Sequence, residues 1–467
     1  ENLPGVRAAP AISERLGDFA ATLRWSAIPP AVRERAKFLI LDAVGCALAA
    51  KRFEFARRSV DAIAELAGAG DSVVIGHAVR LPLRDAVLAN GLLAHGLDYD
   101  DTHSEGIVHL TVSAFPTTLG VAARLGTSGL DLLSAYVVAL EAGARLAAVA
   151  KGGFHQVGFH PTGLIGAFAC ALAAGRLYRL SAAQLAHAQG VALSVASGNL
   201  QFLDDGAWTK RFHPGWAGVC GIVAASMARH GFVAPRAAYE GRFGLYASHL
   251  GPLAKDCDYS RATSDLGETW ETMNVAVKPF PACHFAHAFA DAALELRRQG
   301  VKPAAVSRIT ALVPREVVQT VCEPAANKRR PANDYDAKFS VPYAIAASLA
   351  RGAFGLAELE EEALRDSTIL ALAAKVDYEI DPRSGFPAHY SGEVIVHLKD
   401  GRQLRQREQI HRGSADRPLT DTEIETKFMQ NAAGAVPGQH AAEIRDAVLR
   451  LDAAPNALGF AETLAGR

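Results

Sequence analysis

Three carboxylates stand within four residues in His95-Gly96-Leu97-Asp98-Tyr99-Asp100-Asp101-Thr102-His103, at the end of an apolar run covering residues 86–97. Charge placed beside core material is costly to desolvate unless it is paired, hydrogen-bonded or used chemically. If a helix persists through the stretch, His95, Asp98 and Thr102 share one face by i,i+3 and i,i+4 spacing, and Asp101 lies on that side while Asp100 points elsewhere and caps or pairs. Three readings are open. A carboxylate orients or deprotonates a substrate; Asp100, Asp101 and Glu105 offer hard oxygen ligands to Mg²⁺; or the stretch is a solvated helix end.

Four further segments carry groups able to move protons or hold anions. His109 stands in Ile107-Val108-His109-Leu110, apolar company in which a histidine is commonly a hydrogen-bonded core residue. His160 precedes a helix start in Gly158-Phe159-His160-Pro161-Thr162-Gly163, where a helix dipole favours a neutral imidazole beside an anion; a simple helix cap is the alternative. Lys210 and Arg211, in Lys210-Arg211-Phe212-His213-Pro214-Gly215, place two cations before another expected helix start, a docking place for a carboxylate. Lys278 sits on a proline-stiffened loop, Lys278-Pro279-Phe280-Pro281-Ala282-Cys283-His284, and Tyr343 lies near a helix start in Phe339-Ser340-Val341-Pro342-Tyr343. The inventory is carboxylate, imidazole, ammonium and phenol. It lacks a P-loop, a dinucleotide fingerprint, a G-x-S-x-G elbow and an H-E-x-x-H pair, which points to acid/base chemistry on a small anion with no cofactor and no metal.

These groups need a scaffold. Apolar periodicity and proline starts predict helices over residues 31–50, 83–98, 130–150, 161–177, 182–197 (Ser181 as N-cap) and 214–230, rich in Ala and Gly and therefore closely packed. The texture changes near Thr272. Residues 306–314 alternate as a strand, and 392–398 with 403–409 flank Asp400-Gly401 as a hairpin. Helical stretches at 340–353 and 356–374 lie between, 324–334 reads as a mobile loop, and helices return at 421–431 and 439–451. The expected fold is mainly α: a large all-helical domain from residues 1–271 and 410–467, and a smaller α+β lid domain from 272–409.

Composition narrows the class. The chain has 467 residues, 50% of them hydrophobic and 21% charged, with a net charge of −1. No global field attracts nucleic acid or an anionic membrane. The six cysteines form no C-x-x-C pair and read as reduced thiols of a cytoplasmic protein, and no leader or bilayer-spanning run is visible.

Taken in order, these five motifs resemble the MmgE/PrpD family, which contains 2-methylcitrate dehydratase, cis-aconitate decarboxylase and iminodisuccinate epimerase. The resemblance runs over nearly the whole chain. It implies a homodimer acting on a small polycarboxylate without cofactor, in a cleft between helical domain and lid. It assigns Asp98, His109, His160, Lys210, Lys278 and Tyr343 as catalytic, and Thr102 belongs to the same acidic motif; Thr102, His103 and Arg211 are the expected substrate contacts. The chain departs from the family pattern at His109-Leu110-Thr111, where His-Pro-Ser is usual. Because that loop is expected to meet substrate, the departure argues against 2-methylcitrate dehydratase and favours epimerisation next to a carboxylate. A hydro-lyase or decarboxylase on a citrate-like acid is the alternative, and a non-catalytic carboxylate-binding protein a more distant one.

Overall fold

The computed structural model describes residues 9–466. The chain is mainly helical and divides into two compact units, Glu1–Val275 with Asp421–Arg467, and Ala276–Thr420.

The first unit is built on apolar helices that touch through glycine. Thr209–Arg229 packs against Pro161–Leu177 and Leu83–His95. A Cβ on Gly91 would lie 2.5 Å from the Gly215 Cα, and one on Gly221 would lie 2.4 Å from the Cys170 Cβ. Only bare backbone permits that approach. Asp421–Ala432 returns to Pro30–Ala50, where Lys427 Nζ meets the buried Asp42 carboxylate at 2.6 Å. Gly129–Val149 is long and apolar enough to cross a bilayer, but its most apolar window is wholly buried, and it carries the Glu141–Arg145 ion pair at 2.6 Å inside the core. A two-residue ladder, Ser72–Val73 with Arg80–Leu81, departs from the all-helical expectation.

Several expected helix ends move. Pro161–Leu177 starts and stops as expected, and Ser181 caps Ala182–Val195 through the Gln184 N–H. The helix expected to begin at Pro214 begins at Thr209 and carries Pro214 inside it. The missing N–H there costs one bond, to the Lys210 carbonyl, within the first two turns. The helix expected to reach Asp98 stops at His95. Asp98 has φ +53°, a left-handed conformation that ends any helix and that aspartate tolerates better than most residues.

The second unit is α+β. Its four-stranded sheet runs Val376–Ile380, Val306–Val313, Gly392–Leu398, Gln403–Glu408, the first pair parallel and the others antiparallel. Gly401, φ +87°, makes the expected hairpin turn. The helices His287–Arg298 and Val341–Arg351 pack together, and the Phe289 ring lies where a Cβ on Gly392 would be, 2.8 Å away. Val376–Ile380 was not expected; the helical stretch before it breaks into Leu356–Leu359, Glu361–Leu364 and Ser367–Ala373. A helical turn, Ala325–Arg329, occupies the expected loop at 324–334. Residues 410–420 belong with this unit, because the His411 ring stacks on Tyr390 at 4.7 Å and Arg412 pairs with Asp291 at 3.1 Å.

Candidate active site

The turn after Leu83–His95 folds the acidic stretch back on its own helix. Gly96 lies against the Phe55 ring, where a Cβ would sit 2.3 Å from ring carbons. The chain then reverses at Asp98, and Asp100 arrives beneath His95. His95 Nδ1 donates to both Asp100 oxygens at 2.9 Å, and His109 Nδ1 stands 3.3 Å from Oδ2. Burial alone would raise the Asp100 pKa, but the two imidazoles hold it well below the usual carboxylate range. His109 Nδ1 also donates to the Asp101 carbonyl at 2.8 Å and lies 3.2 Å from Thr102 Oγ1. With Nδ1 committed as donor, Nε2 of His109 is the basic nitrogen.

His160 completes a three-imidazole group. Its ring centroid is 5.8 Å from that of His95 and 6.3 Å from that of His109, and His95 and His109 are 4.8 Å apart. His160 occupies the N-cap position of Pro161–Leu177, but its side chain caps nothing. Its Nδ1 lies 2.8 Å from His213 Nδ1 instead. Burial, then the Lys210 charge and neighbouring imidazoles, push His160 well below the usual imidazole range; burial and the same kind of neighbours take His95 and His213 to about 4. These three rings are neutral at physiological pH. His95 Nε2 is buried with no hydrogen-bond partner.

Lys210 Nζ meets Asp98 Oδ1 at 2.7 Å. Because the helix starts at Thr209, Lys210 and His213 share a face at i,i+3, which puts the ammonium and the His213 imidazole on the same side. The neighbouring Arg211 faces another way. Its Nε donates to the Gly96 carbonyl at 2.6 Å, and its guanidinium lies 4.1 Å over the Phe55 ring, so it braces the turn.

Other expected members have partners of their own or belong to the second unit. His103 uses both ring nitrogens, Nε2 with Glu271 at 2.8 Å and Nδ1 accepting from Gly106 N–H at 3.1 Å, which makes it a clip between segments and leaves no nitrogen for a substrate. Tyr343 is fully buried in the core of the second unit and donates to the Glu358 carbonyl at 2.7 Å; burial pushes its phenol well above the usual range, so its proton is already committed. Lys278 is a buried cation of that same unit. The Mg²⁺ alternative loses its ligand set. Asp100 is taken by imidazoles, Glu105 is exposed and paired with Arg261 at 2.6 Å, and burial pushes Asp101 to about 8, protonated and accepting from Thr111 Oγ1. Among the described residues, His95, His109 and His160 offer ring nitrogens within 4.8 Å of one another, a set suited to a borderline metal rather than a hard one.

The structure also reassigns the departure at His109-Leu110-Thr111. Leu110 is buried and fills the space beside Gly143, where a Cβ would meet it at 2.5 Å. Thr111 is buried too and links Asp101 to Tyr136, whose hydroxyl lies 2.7 Å from Thr111 Oγ1. These two side chains repack the interior behind His109, which removes the ground on which the loop favoured epimerisation.

Sequence reading left His95, Asp100 and His213 off the list of working residues. The signal for His213 was its spacing from Lys210. His95 and Asp100 needed the turn at Asp98, which periodicity extended as helix.

Sequence comparison finds relatives along most of the chain. The chain is 26% identical over 459 residues to a cis-aconitate decarboxylase-like protein of Aspergillus oryzae, covering 94% of each chain. It is 26% identical to the cis-aconitate decarboxylase of Aspergillus terreus, over 94% of this chain and 93% of that one. It is 29% identical to the human cis-aconitate decarboxylase, over 86% of this chain and 84% of the human one. The MmgE/PrpD N-terminal domain model matches residues 14–257 and the MmgE/PrpD C-terminal domain model matches 280–453, and on that ground the chain belongs to the MmgE/PrpD family.

Proposed function

We propose that this protein is a lyase that breaks a bond adjacent to a carboxylate in a citrate-like acid, with decarboxylation of a cis-aconitate-type substrate as the leading reaction. The observation that carries the reading is the imidazole group around Asp100. One buried carboxylate orients two rings through Nδ1, so the proton-moving nitrogen of His109 is fixed in direction and tautomer. Lys210, held by Asp98, stands close enough to depress the neighbouring imidazoles and supplies positive charge for the substrate carboxylate. Loss of CO₂ leaves an electron pair on carbon, which the Nε2–H of neutral His160 reprotonates, while the bare Nε2 of His109 accepts from the substrate. Relatives named cis-aconitate decarboxylase across most of the chain support the lyase alternative over the epimerase reading.

The test is incubation with cis-aconitate, citrate, 2-methylcitrate and iminodisuccinate in D₂O. CO₂ release with one solvent deuteron on the product is expected from cis-aconitate. Water loss from citrate or 2-methylcitrate would reassign the reaction to dehydration. Deuterium uptake with stereochemical scrambling, and no loss of CO₂ or water, would sink the lyase reading.

A further inference from the structure

Behind His160, on the side of His213, lies an open space. It is a cavity of about 540 Å³, lined by Asn199, Phe202, Asp205, Thr209, His213 and Trp216 among others. Asn199, Asp205, Thr209 and Trp216 are exposed, so the cavity opens to water, while His213 is only 9% exposed and forms part of its inner wall. The Phe202 ring stands edge-on to His160 at 6.1 Å and 6.2 Å from His213, covering both imidazoles with apolar surface. The side-chain link from the cavity wall to His160 is the Nδ1-to-Nδ1 contact of 2.8 Å; the His160 backbone N–H also donates to the Gly198 carbonyl of that wall at 3.1 Å, a backbone bond that carries no mobile proton.

Two facing nitrogens at that distance need one proton between them. If it sits on His160, that ring presents a bare Nε2, a base; if it sits on His213, His160 presents Nε2–H, an acid. We propose that His213 is the proton relay of the site, passing protons between cavity water and His160 and thereby setting which form His160 presents. The inference rests on the proton-transfer function proposed above. The steps balance in the direction of reprotonation. His160 Nε2–H gives its proton to the carbon that holds the electron pair left by CO₂. The Nδ1 proton of His213 crosses to His160 Nδ1, and His213 Nε2 takes a proton from water in the cavity. Both rings end neutral but with their tautomers exchanged, a solvent proton ends on carbon, and the hydroxide left in the cavity combines with the released CO₂ as bicarbonate. After product leaves, the reverse relay restores the starting tautomers, a water on the site side giving a proton to His160 Nε2 as His213 Nε2–H gives one to the cavity. Burial disfavours an imidazolium at either ring, which suits a relay that does not store charge.

The test uses His213→Asn, which keeps a short hydrogen-bonding side chain that cannot pass a proton, and His213→Ala, which opens space beside the cavity. The expected result is a fall in kcat of about 100-fold for both, with KM within about threefold. Added imidazole should restore His213→Ala in a saturable way and leave His213→Asn unchanged. A His213→Asn enzyme with wild-type kcat would overturn the relay, and so would a His213→Ala enzyme that imidazole does not restore while its thermal unfolding matches the wild type. If the wild type turns over no polycarboxylate, the proposed function fails, and ¹⁵N shifts still decide the relay. Intermediate, exchange-averaged His160 shifts in the wild type and a single tautomer in His213→Asn are expected; a single tautomer in both overturns it.

Discussion

Two places in this molecule bury carboxylates side by side, and they treat them in opposite ways. In the second unit, Asp381 and Glu393 face guanidinium groups. Arg407 reaches Asp381 at 2.9 Å and Glu393 at 3.1 Å, while Arg383 and Arg405 approach Glu393 at 3.0 and 3.2 Å. A guanidinium does not release its proton, so that network fixes charge and geometry. In the turn of the first unit, Asp100 faces imidazoles, Asp101 faces a hydroxyl, and only Asp98 has a full cation, Lys210. Those partners can exchange protons. The contrast separates carboxylates that hold strands together from carboxylates that hold proton carriers in place.

The comparison breaks most completely at Asp100. Asp100→Asn keeps the size but not the charge, so His95 keeps at most one of its two acceptor oxygens and both imidazoles lose the negative charge that faces them, while the Asp101 carbonyl still holds His109 Nδ1. The expected loss is about 1,000-fold in kcat, read by steady-state turnover of whichever acid proves to be the substrate. A loss under tenfold would reduce Asp100 to a packing residue. Lys210→Met follows, with an expected rise in KM of about 100-fold, since a substrate carboxylate loses its cation and Asp98 its partner.

Stability against pH sharpens the contrast further. Asp101, raised to about 8, holds more protons folded than unfolded, so stability falls as pH climbs from about 4 towards 8. Asp101→Asn removes that slope, and the expected result is a flatter Tm between pH 6 and 8 than in the wild type. A wild-type slope retained in the variant would assign the titration elsewhere. On the acid side the sign reverses. His95 and His213, lowered to about 4, bind protons in the unfolded chain first, so stability falls as pH drops from about 6.5 towards 4. The smallest effect belongs to the guanidinium network. Arg405 is 59% exposed and Glu393 keeps two other arginines, so Arg405→Ala should move Tm by less than about 2 °C and leave turnover alone.

How far the sequence carries depends on whether a residue's neighbours are local. Pro161 announces its helix and Ser181 caps the next one, because both signals act within one turn. Asp400-Gly401 announces its hairpin for the same reason. Helix periodicity cannot see that Gly96 is pressed against Phe55 or that Asp98 turns left-handed, so it carried the helix three residues too far and hid the His95–Asp100 contact. Val376–Ile380 was missed because its pairing partner, Val306–Val313, lies far back along the chain. His109, His160 and Lys210 were legible as residue types in motifs; their grouping was a matter of three helices meeting.

The bare contact between Gly91 and Gly215 has a use for anyone wishing to retune this protein. It acts as a spacer of zero thickness, five residues along the helix from Lys210. A methyl group added at Gly215 would fall 2.3 Å from the Leu88 carbonyl oxygen, so the helix would have to slide outward and carry its ammonium with it. Substrate reach would then be adjusted by shimming a joint that no substrate touches, leaving every proton-carrying side chain in its native chemistry.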